Sequence, residues 1–198
     1  NPSFTVAIGL EAYDDEVLRF HVNKGFSTSS WDRAVTNLEK FNLRVKTYLM
    51  FKPPFMSEAD ALDHSVKWIE AVAERSDEIS VNPMNIQRGT VIDRLHRHNE
   101  YRPPWLWSLV AMIQRAHPFI HPKGGMNGEA DQVSRLIVHP TAGGKIRGSH
   151  NCGSCDGEVV AAIERYAVSG SLLELALAGI IILKFMTIYI IFYFVFFT

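Results

Sequence analysis

The sequence predicts an α/β fold built on a parallel sheet. Short β-branched apolar runs alternate with segments of helical spacing, most helical segments open on a capping residue, and Pro or Gly punctuates the joins. Crossovers of this length imply right-handed connections between parallel strands. Three such units amount to half a barrel or to part of an open sheet.

Each element has its own reason. "FTVAIG", residues 4–9, is a buried-strand run. It leads into "LEAYDDEVLRFHVNKG", where Asp14 can cap a helix carrying Val17, Leu18 and Val22, with Gly25 as its stop. In "SSWDRAVTNLEKF", Ser29 and Asp32 have capping-box spacing, and Ala34, Val35, Leu38 and Phe41 recur at helical intervals. "LRVKTYLMF" is a second strand, stopped by Pro53 and Pro54. Ser57 with Asp60 starts a further helix, with Ala59, Leu62, Val66, Ile69 and Ala73 on one face, and "EISVNPMN" is the third strand. Beyond it the pattern loosens. "RPPWLWSLVAMIQRAH" reads as a helix with prolines in its first turn, "VSRLIVHP" as a late strand and "EVVAAIERYAV" as a final helix, with Gly-rich loops between them.

The 198 residues carry a formal net charge of -1, which argues against a uniformly basic polyanion-binding domain. Any nucleic-acid contact must be local. Two cysteines cannot build a disulfide framework, and they fit a reducing, cytoplasmic setting. The chain opens on Asn1 directly before a strand-like run, which suggests a piece of a longer polypeptide. Residues 172–198 are almost wholly apolar, with Glu174 and Lys184 the charged exceptions. That length can cross a bilayer and anchor the protein, or the tail is no product of selection. Its unbroken aromatics favour the latter. The expected organisation is barrel residues over 1–116, a Gly-rich extension over 117–170 and the apolar tail over 171–198.

Parallel α/β folds gather ligands at the carboxyl ends of their strands. The polar residues there are Glu11 and Tyr13 after the first strand, Lys52 after the second, and Asn82, Asn85, Gln87 and Arg88 after the third. Together they could hold the amino, carboxylate and hydroxyl groups of a small polar ligand; ordinary loop polarity is the plainer explanation. "RLHRH", with Arg94 and Arg97, is the strongest basic run: a solvated helix face, or a contact for a nucleic-acid backbone. Trp105 and Trp107 close by can stack on bases or pack inward, and packing is the commoner use. "HNCGSCD" sets His150, Cys152 and Cys155 in H-x-C-x-x-C spacing, which suits a tetrahedral zinc ion completed by His139 or His121. A redox dithiol or inert thiols are the alternatives.

"GLEAYDDEVLRFHVNKGF", "VKTYLMFKPPFMSEADAL", "ISVNPMNIQRGTVIDRL", "RPPWLWS" and "SHNCGSCD" occur in that order, and through them the chain resembles the radical SAM subunit of archaeosine synthase, a relative of the Elongator catalytic subunit's radical SAM domain. The resemblance covers residues 1 to about 169. It implies the C-terminal part of a partial (β/α) barrel that holds S-adenosylmethionine and a [4Fe-4S] cluster. A 5'-deoxyadenosyl radical would then cleave a lysine-modified deazaguanosine in tRNA, alongside a partner archaeosine synthase subunit. It further implies cofactor contacts at Glu11, Asn82, Asn85 and Gln87, substrate or tRNA contacts at Lys52, Arg88, Arg94 and Arg97, and a cysteine-rich zinc site of the kind Elongator relatives carry beyond the barrel.

The sequence departs from that family in one respect. It has no C-x-x-x-C-x-x-C loop, and three thiolates are the minimum hold on such a cluster. Either the cluster loop lies on polypeptide upstream, the preferred reading, or the chain is a non-catalytic remnant that grips tRNA or a partner. A membrane-tethered scaffold is the third possibility.

Overall fold

In the computed structural model of the chain, residues 4–120 and 134–176 are described. Four strands form one parallel sheet: β1 (Thr5–Glu11), β2 (Arg44–Phe51), β3 (Glu78–Pro83) and β4 (Arg135–Val138). Their order in space is their order in the chain, β1-β2-β3-β4. Among the described residues the sheet is therefore singly wound, as in a barrel, and shows no reversal point to localise a ligand. The whole row of carboxyl ends becomes the candidate mouth.

Helices accompany it among the described residues. They are α1 (Asp15–Val17), which runs on as a π-helical turn at Leu18–Val22, then α2 (Thr28–Glu39), α3 (Glu58–Ala73), α4 (Val91–Arg97), α5 (Leu106–Ile120) and α6 (Asp156–Ser169). Period-two alternation on β2 divides the sheet into two unlike faces. Val45, Thr47, Leu49 and Phe51 are buried, and their registered neighbours on β3 and β4 are Ile79, Val81, Leu136 and Val138. The helices pack on this face: α3 against β2 and β3, α5 and α6 against β4. Fully burying each large side chain there, such as Phe51 or Ile69, contributes about 1.5–3 kcal/mol. Thr47 is the polar exception, and its hydroxyl bonds Ser76 Oγ at 2.8 Å.

The opposite face carries Gly9, Lys46, Tyr48, Met50, Glu78 and Asn82, all half-buried, with Ser80 buried among them. Lys46 and Glu78, registered neighbours, form an ion pair across it. No helix among the described residues covers this face as α3 covers the other.

Local chemistry explains where the helices differ from expectation. Asp14 caps α1 as predicted, accepting from the backbone N–H of Glu16 and Val17. The segment ends at Asn23 instead of Gly25, because Asn23 itself takes the left-handed conformation (φ 57°) that a C-cap needs. The cap of the next helix lies two residues before the expected Ser29: Ser27 is the cap residue in extended conformation, with no side-chain capping bond. Phe41 lies beyond its end, 74% exposed, and Trp31 supplies the buried ring in its place. Ser57 caps α3 by accepting from Asp60 N at 3.1 Å, as the spacing implied. Its buried face is Ala61, Ser65, Val66, Trp68, Ile69, Val72 and Ala73, so Ala59 falls outside it. Pro103 and Pro104 precede α5, whose first residue is Leu106.

Met84, Ile86, Ile92, Leu95 and Tyr101 form a second, smaller apolar cluster that holds the loop after β3 in place. Leu172 and Leu175 pack against the main core, so the opening of the expected tail belongs to the folded domain, while residues 177–198 lie outside the described residues. Among the described residues no helix is long and apolar enough to cross a membrane.

Candidate functional site

At the end of β1 the chain makes an irregular step. The register with β2 shifts between Gly9 and Glu11, and Glu11 sits at φ 74°, a conformation uncommon for a residue with a side chain. The Glu11 carboxylate folds back over the strand. A Cβ placed on Gly9 would lie 3.1 Å from Glu11 Oε1 and 3.5 Å from Lys24 Nζ, so Gly9 leaves the room both groups occupy. Lys24 Nζ donates to Glu11 Oε1 at 3.1 Å, with the two side chains 24% and 23% exposed. Gly9 pairs with Tyr48, so this ion pair stands over the uncovered sheet face, at its mouth. Lys24 owes its place to Asn23: once the left-handed cap turns the chain, Lys24 N bonds Leu18 O at 2.8 Å.

Asn82 lies on the same face, registered with Met50 on β2. Two further predicted residues follow in the loop, where Gln87 Nε2 donates to Asn85 Oδ1 at 2.6 Å. Lys52 has another occupation. Nearly buried, and also left-handed (φ 57°), it donates from Nζ to Glu58 Oε2 at 2.7 Å and to Arg102 O at 2.9 Å. Tyr101 Oη donates to Lys52 O at 2.9 Å, and burial pushes its phenol well above the ordinary range. Glu58 Oε1 in turn accepts from Trp105 N at 2.9 Å. Lys52 thus ties the end of β2 to the start of α3 and to residues 101–105.

The basic residues gather about a carboxylate that the sequence reading passed over. Asp93, 3% exposed in its side chain, accepts from Gly89 N at 2.9 Å, Arg97 Nη2 at 2.6 Å and Arg147 Nη2 at 2.7 Å. The Gly89 N–H first, then the two guanidiniums, hold its carboxyl at about 2. Arg88, Asp93, Arg97 and Arg147 line one cleft of about 410 Å³. Arg94 is exposed on α4 beside them. Arg147 and Asp93 are 54 positions apart, so no local pattern could announce the pair.

Trp105 and Trp107 are 41% and 36% exposed, in place of the inward packing expected of them. The Arg102 guanidinium lies 3.2 Å from the Trp105 ring centroid and donates to His150 O at 2.8 Å.

The H-x-C-x-x-C motif is not gathered as a zinc site. His150 Nδ1 faces Gly148 O at 2.8 Å, His139 is exposed, and among the described residues no group of three or more His, Cys, Asp or Glu side chains could hold an ion. His121 lies outside the described residues. Asp156 organises the loop: its carboxylate accepts from Asn151 N at 3.1 Å and Gly153 N at 3.2 Å. Cys152 is exposed, and its thiol is drawn below the ordinary range by the Ser154 and Cys155 backbone N–H groups; burial pushes the Cys155 thiol up. Among the described residues the zinc reading therefore finds no support.

No family model matches the chain. Archaeosine synthase subunit beta of Methanosarcina acetivorans is 34% identical over 178 residues, covering 90% of this chain and 48% of that protein. The protein of the same name from Thermococcus kodakarensis is 37% identical over 149 residues, 75% of this chain and 43% of that one. The chain is a relative of archaeosine synthase subunit beta. It spans about half the length of these archaeosine synthase subunits, as the 48% and 43% coverages state. Its backbone also matches the solved structure of Elp3 from Methanocaldococcus infernus with an N-terminal deletion, at a TM-score of 0.60 and 17% identity, over 85% of this chain and 37% of that one. The chain thus shares the fold of that Elp3 structure, an α/β architecture with a parallel four-stranded sheet among the described residues.

Proposed function

We propose that this chain forms part of a radical SAM enzyme that modifies tRNA in archaeosine biosynthesis, cleaving a lysine-modified deazaguanosine. The observation that carries the reading is a coincidence of two facts. The chain aligns over 90% of its length with an archaeosine synthase subunit beta, and one sheet face is left uncovered among the described residues, with a carboxylate–ammonium pair at the mouth.

S-adenosylmethionine is a zwitterionic amino acid joined to a nucleoside, and the mouth offers matching chemistry. The Glu11 carboxylate suits its ammonium or ribose hydroxyls, Lys24 its carboxylate, and Asn82, Asn85 and Gln87 the edges of ribose and base. When bound, the cofactor supplies the radical chemistry; these residues orient it. The vacancy left by Gly9 lets that pair sit low over the sheet. Lys52 supports the mouth from behind through Glu58 and the Arg102 carbonyl.

The iron–sulfur cluster does not fit the residues present. The chain has two cysteines, both in the loop before α6, and the cluster needs three thiolates. An active enzyme requires further polypeptide to carry it. Arg88, Arg94 and Arg97 face the tRNA, and a second archaeosine synthase subunit completes the assembly, in the cytoplasm. The same cysteine count favours a second reading, in which this chain alone binds tRNA without turnover.

The test is assay of the full-length protein, prepared without oxygen with its partner subunit, on tRNA carrying the lysine-modified deazaguanosine. Archaeosine and 5'-deoxyadenosine are expected in equal amounts. Their absence from preparations with full cluster occupancy would overturn the reading.

A further inference from the structure

The cleft around Asp93 is lined by none of the residues proposed above to seat a nucleoside, and its electrostatics are unbalanced. Three arginines, Arg88, Arg97 and Arg147, line a cleft of about 410 Å³ with one nearly buried carboxylate, which Arg97 and Arg147 contact directly. Two of the three are held in fixed orientation. Arg147 spends Nε on Ile86 O at 3.1 Å and Nη2 on Asp93 Oδ1 at 2.7 Å, which leaves Nη1 to point elsewhere. Arg97 spends Nε on Asp93 O at 3.3 Å and Nη2 on Asp93 Oδ2 at 2.6 Å, which again leaves Nη1. Arg97 and Arg147 remain 66% and 41% exposed in their side chains, so both are accessible from solvent. Arg88 is exposed and has no ion partner among the described residues.

An isolated surface arginine is mobile and gains little from one ion pair, because ordering its side chain costs entropy. Here Asp93 has already ordered two of them. It is ordered in turn by the Gly89 N–H and by the Thr90 hydroxyl, which accepts from Asp93 N at 3.3 Å at the start of α4. Forked donors in fixed orientation match the paired oxygens of a phosphate better than point charges do. Arg88 lies in the loop after the carboxyl end of β3, Arg97 closes α4, and Arg147 lies in the loop after the carboxyl end of β4, so the cleft lies on the ligand side of the sheet.

The geometry points to a phosphate clamp: Arg88, Arg97 and Arg147 grip one phosphodiester of a polynucleotide backbone, and Asp93 is the positioning residue that sets their angle. This deepens the tRNA reading and rests on it for the identity of the polynucleotide. It adds Arg147 and Asp93, from two distant parts of the chain, to a contact that the basic run alone would place on one face of α4.

The experiment measures binding of unmodified tRNA to the full-length protein at several salt concentrations, for the natural sequence, Arg88→Gln, Arg147→Gln and Asp93→Asn, with melting temperatures taken in parallel. Arg88→Gln breaks no internal bond, so it tests the clamp without a folding effect. The clamp predicts about tenfold weaker binding for each arginine variant, and a log–log salt slope shallower by about 0.7–0.9. Asp93→Asn removes a negative charge from an anion site. A simple charge sum predicts tighter binding, whereas the clamp predicts weaker binding in protein that stays folded at the assay temperature. Unchanged affinity and slope in both arginine variants, with tRNA still bound by the natural protein, would overturn the clamp and leave the tRNA reading intact. If no variant binds tRNA at all, titration with inorganic phosphate decides: an arginine-dependent response upholds the clamp while the tRNA reading fails, and no response removes both.

Discussion

Lys52 Nζ reaches Glu58 Oε2 at 2.7 Å from a backbone held left-handed at φ 57°. The same ammonium donates to the Arg102 carbonyl at 2.9 Å, so one side chain joins the end of β2, the first turn of α3 and the strip that enters α5. Lys52→Met keeps the aliphatic stem and deletes the charge. It leaves Glu58 and a carbonyl short of a donor in a setting where the lysine side chain is only 10% exposed. A loss of about 2 kcal/mol in unfolding free energy is expected, measured by denaturant titration. An unchanged midpoint and slope would show that the bridge contributes nothing to stability.

The Asp93 carboxyl gives the protein an acid-sensitive joint. Its value is about 2 in the folded chain, below the ordinary 3.8, so it binds its proton more weakly folded than unfolded. Its contribution is therefore complete above about pH 4 and is lost as the pH falls through about 2. Melting temperatures taken from pH 5 down to about pH 2 should fall more steeply for the natural protein than for Asp93→Asn. Parallel curves would refute this assignment.

Gly148 adjoins Arg147, and it has no room for a methyl group. A Cβ there would stand 2.2 Å from Ala142 O and 2.6 Å from Ala142 C, both backbone atoms that cannot rotate away. Gly148→Ala must shift the loop, at a cost of about 2–3 kcal/mol, and should displace Arg147 from Asp93. Hydrogen exchange at Ile86, whose N–H bonds Arg147 O at 2.8 Å, should accelerate in the variant. Unaltered exchange would mean that the loop accommodates the methyl without moving.

Much of the fold was legible because its signals are local. Short apolar runs marked all four strands, and the Ser57 cap, set three residues before Asp60, fixed the start of α3 to the residue. What escaped depends on residues brought together from far apart, or on backbone angles that spacing does not encode. Lys24 was invisible because its role follows from the left-handed turn at Asn23, and Arg147 because its partner lies 54 positions away. Lys52 was correctly placed at a strand end, yet the ion pair that occupies it comes from Glu58, which reads as an ordinary residue of the first turn of α3. The H-x-C-x-x-C spacing pointed to an ion, but the Gly148 carbonyl holds the His150 ring and the Asp156 carboxylate organises the cysteine loop.

Gly9→Ala provides a graded probe of the mouth. The added Cβ would press at 3.1 Å on a flexible carboxylate, so unfolding free energy should change by less than about 1 kcal/mol while Glu11 and Lys24 are pushed outward. The measurement closest to the central claim is calorimetric titration of the full-length protein with S-adenosylmethionine, comparing the natural sequence with Gly9→Ala and Glu11→Gln. The account predicts binding by the natural protein, a several-fold weakening in Gly9→Ala and a loss of about tenfold in Glu11→Gln. Equal affinity in all three, or no binding by the natural protein with its cluster in place, would contradict it.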